Sequence, residues 1–482
     1  MNRLPFIAAA LACVARAALA QPYDTPPPPA APRLLAIEAP SELALPNGLR
    51  VIVARREGVP LVSAVLVALS GSEADPPRLS GLAAMTAGLL TQGTRRHTAP
   101  QLAAAAEALG GSLESSAGWG RSLVSITVTT PKLDAALTLV AEVAREPTFA
   151  TAEINRLRAQ TLDGLKVAYA DPGTLAGLAA VRLAYGATPW GHPESGTPAS
   201  LPRIGRNDLL AMHRATFRPD RSVLILAGDI DTATARTLAR SHFGDWRAAA
   251  GPPASSPAVP PVARCTTLAV IDMVGAGQAG VALALPLPAR RGHDWATGEV
   301  LNAVLGGAYS SRLNEEIRIK RGLSYGAGSA IGARRDSALF QASIQTKNES
   351  AAEVVQLLQG ELDKIATTPI DGAELAARKT TLIGGVSRSV ETTSGLAAAI
   401  RTLVVAGRSP AELKTEIETI EAVGAVDVQA YAAAHFGRSD RRIAVAGVAE
   451  RFAAALRAEV PSLVLVEPGA LDLDRAAGPA VP

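Results

Sequence analysis

Apolar residues recur along this chain with two different periods, and each period predicts a different element. Residues 49–53, 61–70 and 123–130 alternate between apolar and polar or run apolar with β-branched side chains, which predicts strands. Apolar residues three and four places apart predict helices. These predicted helices are residues 81–90, 100–109, 132–146 and 152–169.

The same two periods return in the second part of the chain. Residues 279–287 and 337–347 are predicted to be strands. The helices predicted there are residues 294–305, 310–320, 350–367 and 371–389. Such a mixture of strands and helices predicts the α+β class, in which helices pack on a sheet.

A Pro-rich stretch at residues 248–262 has no hydrophobic period and is predicted to be an extended linker. It divides the chain into two parts of similar length, which resemble each other near their ends. Residues 213–231 and 435–450 both contain His/Phe, a basic polar turn, a short apolar strand, and then Ala-Gly with an acidic residue. We therefore predict two homologous halves, each a largely antiparallel sheet with helices packed on it.

The N-terminus has the pattern of an export signal. Arg3 gives it a basic start, residues 4–14 are apolar, and Ala18-Leu19-Ala20 is a small-x-small cleavage site. The apolar run is too short to span a bilayer, so we predict a periplasmic protein without stable membrane insertion. The predicted segments are a signal peptide (1–20), a Pro-rich tail (21–40), an N-terminal domain (41–247), the linker (248–262), a C-terminal domain (263–470) and a tail (471–482).

The composition argues against some classes of function. The net charge is only +3 over 482 residues, and no basic stripe is interleaved with aromatic residues, so we predict no binding of nucleic acid. Cys13 lies in the predicted signal peptide, which leaves Cys265 as the one thiol of the mature chain. A single thiol forms neither an internal disulfide nor a cysteine-based zinc site, and we interpret Cys265 as a small buried residue.

Four stretches of the sequence carry a family resemblance. They are LPNGLRV at 45–51; GSEAD at 71–75 with SGLA at 80–83 and TQGT at 91–94; PWGHP at 189–193; and the stretch from LGG at 305–307 through SRL at 311–313 to GLSY at 322–325. Together they resemble the pitrilysin/insulinase family of zinc metallopeptidases, most of all its small bacterial and processing-peptidase-like branch. The resemblance implies a mitochondrial-processing-peptidase-like metallohydrolase fold.

In that family an inverted H-x-x-E-H helix binds zinc through its two His and uses the Glu as general base. The resemblance places these positions at Ala84, Ala87 and Gly88. The third ligand, a Glu further along the chain, falls near Gly164, and the neighbouring Asp163 is one place out of register. Because Ala and Gly offer no side-chain lone pairs, we predict that this chain binds no metal and has no cofactor of its own.

The resemblance also implies that Arg318 and Tyr325 form the substrate-side half of the active centre. In the family, an Arg and a Tyr at this spacing reach across to the zinc site, where the Tyr hydroxyl hydrogen-bonds the oxyanion and the Arg binds a substrate carbonyl or carboxylate. Arg318 is near the end of predicted helix 310–320, and Gly322 is expected to turn the chain so that Tyr325 starts a strand. A structural alternative stays open, in which Arg318 pairs with Glu315 or another acid and Tyr325 packs.

Members of this family often work as pairs, one chain with the zinc helix and the other with the Arg/Tyr pair. The resemblance implies that this chain is the Arg/Tyr-supplying subunit of a periplasmic heterodimeric zinc peptidase that cleaves unfolded peptides, and that it is not catalytic on its own. The partner is expected to be a homologous subunit that carries the H-x-x-E-H helix and its zinc. Two alternatives stay open: a non-enzymatic peptide-binding or structural subunit, and a self-sufficient peptidase with relocated ligands.

Overall fold

Two six-stranded sheets organise the part of the chain that the computed structural model describes, namely residues 38–186, 188–255, 267–467, 469 and 471–474. The first sheet consists of β1 (Ser41–Ala44), β2 (Arg50–Arg55), β3 (Leu61–Ala68), β4 (Glu114–Gly118), β5 (Arg121–Thr129) and β6 (Ser222–Gly228). The second consists of β7 (Leu268–Asp272), β8 (Ala279–Leu287), β9 (Ala327–Ala333), β10 (Ala338–Thr346), β11 (Arg442–Gly447) and β12 (Val464–Val466).

Five strands of each sheet share one topology, and the sixth differs, because β1 pairs antiparallel with β2 whereas β12 pairs parallel with β7. Their strand orders are β1-β2-β6-β3-β5-β4 and β12-β7-β11-β8-β10-β9, so β12 takes in the second sheet the place that β1 has in the first. The central strand, β6 or β11, runs parallel to β2 or β7 and antiparallel to β3 or β8. These two strands belong to the duplicated stretches 213–231 and 435–450, and both are buried throughout. The predicted α+β fold of two homologous halves is therefore confirmed.

Amphipathic helices of the first half cover one face of its sheet. They include α3 (Leu133–Arg145), in which the buried residues Leu133, Leu137, Val140 and Ala144 lie three or four places apart and so line one face of the helix. They pack in one core with strand residues such as Leu66 and Ile126. The other helices of this half within the described residues are α1 (Leu82–Leu89), α2 (Ala99–Ala108), α4 (Thr151–Ala170), α5 (Pro172–Tyr185), α6 (Arg206–Thr216) and α7 (Thr232–Phe243).

The second half repeats this arrangement with its own helices. Its core contains Phe340 of β10 and Phe436, whose rings meet edge to face with centroids 5.0 Å apart. The helices of this half within the described residues are α8 (Gly292–Leu305), α9 (Arg312–Asn314), α10 (Ala351–Thr367), α11 (Gly372–Ser389), α12 (Thr393–Val405), α13 (Glu416–Glu421), α14 (Ala425–His435) and α15 (Ala453–Glu459).

One helix of each half packs on the sheet of the other half. Helix α5 of the first half lies on β8 and β11 of the second sheet, while α12 of the second half lies on β3 and β6 of the first sheet. In the second contact, the hydroxyl groups of Ser63 and Thr393 are 2.9 Å apart in a buried position. The exchange gives the two halves a shared core, which joins α5 residues to Ala282, Ala284, Ala444 and Ala446 of the second sheet.

Small residues let α5 approach the second sheet closely. A Cβ atom added to Gly280 of β8 would lie 2.4 Å from the carbonyl oxygen of Pro172 and 2.5 Å from the Cα of Gly173. These distances are far below van der Waals contact, so only glycine fits on the strand here. The first turn of α5 therefore touches the backbone of β8 directly.

A buried arginine fills the contact between the halves beside α5. Arg334, which follows β9, is only 4% exposed, and its guanidinium lies 4.3 Å from the ring centre of Tyr185 and 4.5 Å from that of Trp119. It also donates a hydrogen bond of 3.0 Å to the carbonyl oxygen of Trp190, within the PWGHP stretch. A cation between aromatic faces in a desolvated position is a favourable contact, and here it ties the second half to the first.

Some predictions fall on residues outside the described ranges. These are the signal peptide at 1–20, almost all of the tail at 21–40, the second part of the linker at 248–262, and Cys265. In the part of the chain that is described, no helix is both long enough and apolar enough to cross a membrane.

We expect Gly280→Ala to lower the free energy of unfolding by on the order of 3 kcal/mol, because the added methyl group would overlap backbone atoms. Gly164→Ala is the matched control, since a Cβ at this position of α4 meets nothing within 4 Å. The control should raise the stability by about 0.5–1 kcal/mol, because Ala favours helix more than Gly does. Urea unfolding of both variants measures the difference, and equal effects would contradict the close approach of α5.

His213 of α6 is held in an aromatic environment. Its ring stacks on Phe217 with centroids 5.4 Å apart and meets the edge of Phe149 at 5.6 Å. Its Nε2 atom lies 2.9 Å from the carbonyl oxygen of Ala144. Burial lowers the pKa of His213 to about 4, so the folded protein holds this imidazole neutral at pH 7.

This shift predicts a loss of stability in acid. The folded pKa lies below the unfolded value of about 6.5, so the unfolded chain takes up the proton first as the pH falls from about 6.5 to about 4. At pH 5 the effect should amount to on the order of 2 kcal/mol. We expect the difference in unfolding free energy between the wild type and His213→Asn to shrink by this amount between pH 7.5 and pH 5. A constant difference would contradict the buried neutral imidazole.

Candidate functional site

Helix α1 carries the three positions that the resemblance assigns to the family's H-x-x-E-H motif. Gly81 precedes it with a φ of 89°, a left-handed conformation that favours glycine. The buried carboxylate of Asp75 accepts hydrogen bonds of 2.8 Å from the backbone N–H groups of Gly81 and Ala83. Burial raises the pKa of Asp75 well above its ordinary value, although these two hydrogen bonds act to lower it. The start of the helix is thus satisfied by protein groups alone.

The three positions themselves offer only methyl groups and backbone. Ala84 and Gly88 are half-buried on one face of α1, one helical turn apart. A Cβ on Gly88 would lie 3.3 Å from the Cδ2 atom of Leu157 on α4. Ala87 is fully buried, and its carbonyl oxygen accepts a 2.7 Å hydrogen bond from the hydroxyl of Ser115 on β4. This face of the helix holds no side-chain ligand for a metal.

The position expected for the third ligand also has no side chain that could bind a metal. Gly164 lies in α4 with open space around it. The neighbouring Asp163 forms an exposed ion pair with Lys166 at 2.8 Å, so its carboxylate is engaged on the surface of α4. Across the described ranges, no group of three or more His, Cys, Asp or Glu residues is arranged to hold a metal ion. The residues at these positions therefore do not fit a zinc ion.

A contact near the C-terminus, which the sequence did not predict, lies beside the start of α1. The carboxylate of Asp474 accepts a 2.6 Å hydrogen bond from the hydroxyl of Ser80 and another from the hydroxyl of Thr197. Leu473 next to it is buried at 3% exposure. The first residues of the predicted tail at 471–482 are thus docked on the first half, next to the residue that precedes Gly81.

The segment that carries Arg318 is only partly α-helical. Helix α9 ends after one turn and continues as a π-helical turn, Glu315–Ile319. The prediction of one regular helix over 310–320 was therefore wrong in this detail. π-Helical turns insert an extra residue and recur at functional sites, because they change the direction of the side chains that follow. Here Ile317 is fully buried, while Arg318 after it remains partly exposed.

Arg318 contacts an aromatic ring. Its guanidinium lies 4.9 Å from the ring centre of Tyr309. Glu315, which the structural alternative named as its partner, instead pairs with Lys320 at 3.3 Å, and Glu316 pairs with Lys320 at 2.6 Å. A guanidinium over an aromatic face keeps its N–H donors at the edge of the ring, where they remain able to bind a carbonyl or carboxylate.

Tyr325 projects into solvent, with 91% of its surface exposed. The loop beneath it is well held: Gly322 has a φ of 63°, and the Thr346 hydroxyl donates a 2.6 Å hydrogen bond to the carbonyl oxygen of Leu323. Strand β9 begins only at Ala327, so Tyr325 precedes the strand by two residues and does not start it as expected. The structural alternative required this side chain to pack against the protein, and it does not.

These features define a class of protein: a two-half, metallopeptidase-like fold with only Ala and Gly at the expected metal positions, and with a partly exposed Arg318 and an exposed Tyr325 in the second half. Two family models match the chain accordingly. Residues 50–186 match the insulinase family, peptidase family M16, and residues 203–382 match the peptidase M16 inactive domain. The chain belongs to the insulinase family of peptidases, M16.

Relatives and solved structures agree with this assignment. An uncharacterized zinc protease of Mycobacterium leprae is 30% identical over 352 residues, which cover 72% of this chain and 78% of that protein. A non-peptidase homolog of Helicobacter pylori is 26% identical over 67% of this chain and 74% of its own length. The crystal structure of a peptidase M16 inactive domain from Pseudomonas fluorescens, at 24% identity, covers 85% of this chain and 98% of its own with a TM-score of 0.79, which shows the same fold.

We expect the isolated chain to carry fewer than about 0.1 zinc atoms per molecule after dialysis, because the ligand positions hold Ala and Gly. The matched variant is Ala84→His/Ala87→Glu/Gly88→His/Gly164→Glu, which restores three ligands and the base, and its zinc content should approach one. Elemental analysis measures both proteins. About one zinc in the unmodified chain, or none in the variant, would contradict the placement of these positions.

Proposed function

We propose that this chain is the Arg/Tyr-supplying subunit of a periplasmic heterodimeric zinc peptidase that cleaves unfolded peptides. The observation that carries the proposal is the combination of an exposed Tyr325 with bare metal positions at Ala84, Ala87 and Gly88. A tyrosine with 91% of its surface in water contributes little to the core, so its placement suits a group that acts on something outside the chain.

The chemistry of the pair suits a reaction in which negative charge develops on a carbonyl oxygen. A phenol hydroxyl donates one directed hydrogen bond to such an oxyanion, and this kind of stabilisation is often the largest single contribution to catalysis. The planar guanidinium of Arg318 orients a substrate carbonyl or carboxylate through two parallel donors. Neither group generates a nucleophile at neutral pH. The nucleophile, the general base and the zinc ion are therefore assigned to the partner subunit.

The proposed partner is a homologous chain with an intact H-x-x-E-H helix. Export to the periplasm rests on the N-terminal sequence pattern, which lies outside the described residues. The preference for unfolded peptides rests on the family resemblance, in which two such chains enclose a chamber that a folded protein cannot enter.

A second function, a non-enzymatic peptide-binding or structural subunit, is favoured by one observation. A Helicobacter pylori protein that is 26% identical to this chain is named a non-peptidase homolog. In such a subunit Tyr325 and Arg318 would serve binding or assembly alone, and their removal would leave turnover by any associated peptidase unchanged.

Tyr325→Phe should lower kcat of the reconstituted pair by about 100-fold or more, because it removes one hydrogen-bond donor to the oxyanion. Since the side chain is exposed, folding and assembly should be unaffected. The measurement is cleavage of a quenched fluorogenic peptide by the pair, obtained by co-purifying the tagged chain with its partner from periplasm, with the assembly followed by size-exclusion chromatography.

Arg318→Ala is expected to raise KM and lower kcat together, whereas Arg214→Ala, which removes an exposed arginine of α6, should change neither. The isolated chain should show no cleavage. Full turnover by a Tyr325→Phe pair would favour the non-enzymatic subunit, and metal-dependent cleavage by the isolated chain would refute the division of labour.

A further inference from the structure

A groove runs along the contact between the two halves and ends at Tyr325. Two adjoining cavities of about 660 and 460 Å³ form it, and both are lined by Leu178 and Val181 of α5 and by Gln341 of β10. The larger cavity reaches Tyr325 at one end of the groove. The smaller one reaches Trp119 and Arg334 at the other. We call the two together the seam groove.

Along its middle the seam groove is lined by apolar residues of α5 and by uncharged polar residues of β10. Gln341 and Gln345 of β10 each use the amide N–H group, toward the Gly177 carbonyl oxygen at 3.4 Å and toward Asp171 at 2.8 Å. The Ser343 side chain between them is exposed in the groove. Amide and hydroxyl groups of this kind are the natural partners of peptide N–H and C=O groups. An extended backbone laid here meets donors and acceptors without meeting a charge.

Small residues widen the groove on the side of the edge strand. Ala330 and Gly332 of β9 line the smaller cavity and are exposed. On the helix side, a Cβ at Gly177 would already touch the Gln341 amide at 3.2 Å. The small side chain of Ala330 and the lack of one at Gly332 leave room for the side chains of a ligand, and glycine within a strand often marks a site where another backbone approaches closely.

The charges at the Trp119 end are engaged within the protein. Glu194 faces Arg334 and Arg121, and burial raises the pKa of its carboxyl group above the ordinary value. Arg334 is buried between aromatic rings. The Tyr325 end has one acidic group, Asp171, which already accepts hydrogen bonds from Thr174 and Gln345. A charged ligand side chain would thus lose its water in the middle of the groove and gain no counter-ion there.

The length of the groove matches a short peptide. Strand β9 separates Arg334 from the loop of Tyr325, and its seven residues span about 23 Å at the rise of an extended strand. An extended peptide of about seven residues has the same length. One of its ends would then lie beside Tyr325, where the proposed reaction takes place.

We propose that the seam groove binds an extended, uncharged segment of the substrate peptide, with a bulky apolar side chain placed over Ala330 and Gly332. The inference rests on the proposed function, because this subunit would then bind the substrate peptide as well as supply Arg318 and Tyr325. The chemical class of ligand is a neutral stretch of unfolded polypeptide, and Asp, Glu, Lys or Arg in the middle of the stretch excludes it.

The test uses the isolated full-length mature chain and a fluorescein-labelled decapeptide of Gln, Ser and Ala with one central Phe. Fluorescence anisotropy should show saturable binding, weakened about tenfold or more when Glu or Lys replaces the residue beside Phe. Ala330→Trp should weaken binding of the neutral peptide by a similar factor, because the indole fills the groove from an exposed position. The matched control is Ala104→Trp, an exposed alanine of α2 outside the groove, which should bind as the wild type does.

Ser343→Lys provides a second, independent variant. A lysine at this exposed position of β10 should weaken binding of the neutral peptide and favour the peptide that carries Glu, so that the preference between the two reverses. Equal binding of neutral and charged peptides, unchanged binding by Ala330→Trp, or no saturable binding by the wild type would overturn the seam groove as a peptide site.

The outcomes also separate this inference from the function on which it rests. Absence of peptide binding by the isolated chain, together with turnover by the pair that depends on Tyr325, would remove the groove and leave the peptidase subunit. Binding with the predicted selectivity, but without any turnover by the pair, would support the groove in a peptide-binding subunit and remove the catalytic proposal.

Discussion

The close packing of α5 on the second sheet is the constraint on which the rest of the architecture depends. The helix comes from the first half, but its buried side chains meet the alanines of β8 and β11 in the second half. Because Gly280 leaves no Cβ between strand and helix, the two backbones touch at the start of α5. The apolar surface buried by this contact would be exposed if the halves separated, so they act as one folding unit. The reciprocal packing of α12 on the first sheet secures the same junction from the other side.

The same contact decides where a ligand has room. Helix α5 covers β8 and β11 but leaves uncovered much of the face of β10 and the small residues of β9. The open strip runs from the aromatic cluster around Arg334 to the loop that carries Tyr325. The position of α5 on the second sheet therefore determines the open space beside Tyr325. In the first half, hydrogen bonds with Asp75 and Ser115 hold α1 in place.

The local hydrophobic period was enough to predict strongly apolar elements and elements that pack on segments close to them in sequence. The prediction of 61–70 matches β3, 152–169 matches α4, and 100–109 matches α2 to within two residues at either end. Strand β9 was predicted only as the strand that follows the turn at Gly322, and its start was placed at Tyr325 instead of Ala327, because its own sequence AGSAIGA has few β-branched residues and depends on β10 for its conformation. Helix α5 was missed, since Gly173 and Gly177 weaken its helical pattern and it packs on strands of the second sheet, which come later in the chain.

The candidate site likewise has features that the sequence could predict and features that it could not. The bare positions Ala84, Ala87 and Gly88 could be read directly, because the absence of a ligand side chain is a property of the sequence alone. The π-helical turn before Lys320 could not, since one extra residue in a helical turn leaves no periodic trace in so short a segment. The contact of Arg334 with Trp119 and the contact of Asp474 with Ser80 join residues hundreds of positions apart or in different halves. Only the fold brings such pairs together.

The exposure of Tyr325 bears directly on the role that the proposed function gives to a partner subunit. A hydroxyl in bulk water gives little advantage to an oxyanion, because water competes for the same hydrogen bond and screens the charge. Preorganised donors become effective when the site is closed to solvent and the donor keeps a fixed position. The loop beneath Tyr325 meets the second condition, through Leu323 and its bond from Thr346, but the isolated chain leaves the side chain 91% exposed. Under the proposed function, the partner that covers Tyr325 would exclude water and bring the reacting carbonyl, and a homologous subunit with its own metal helix would meet both requirements.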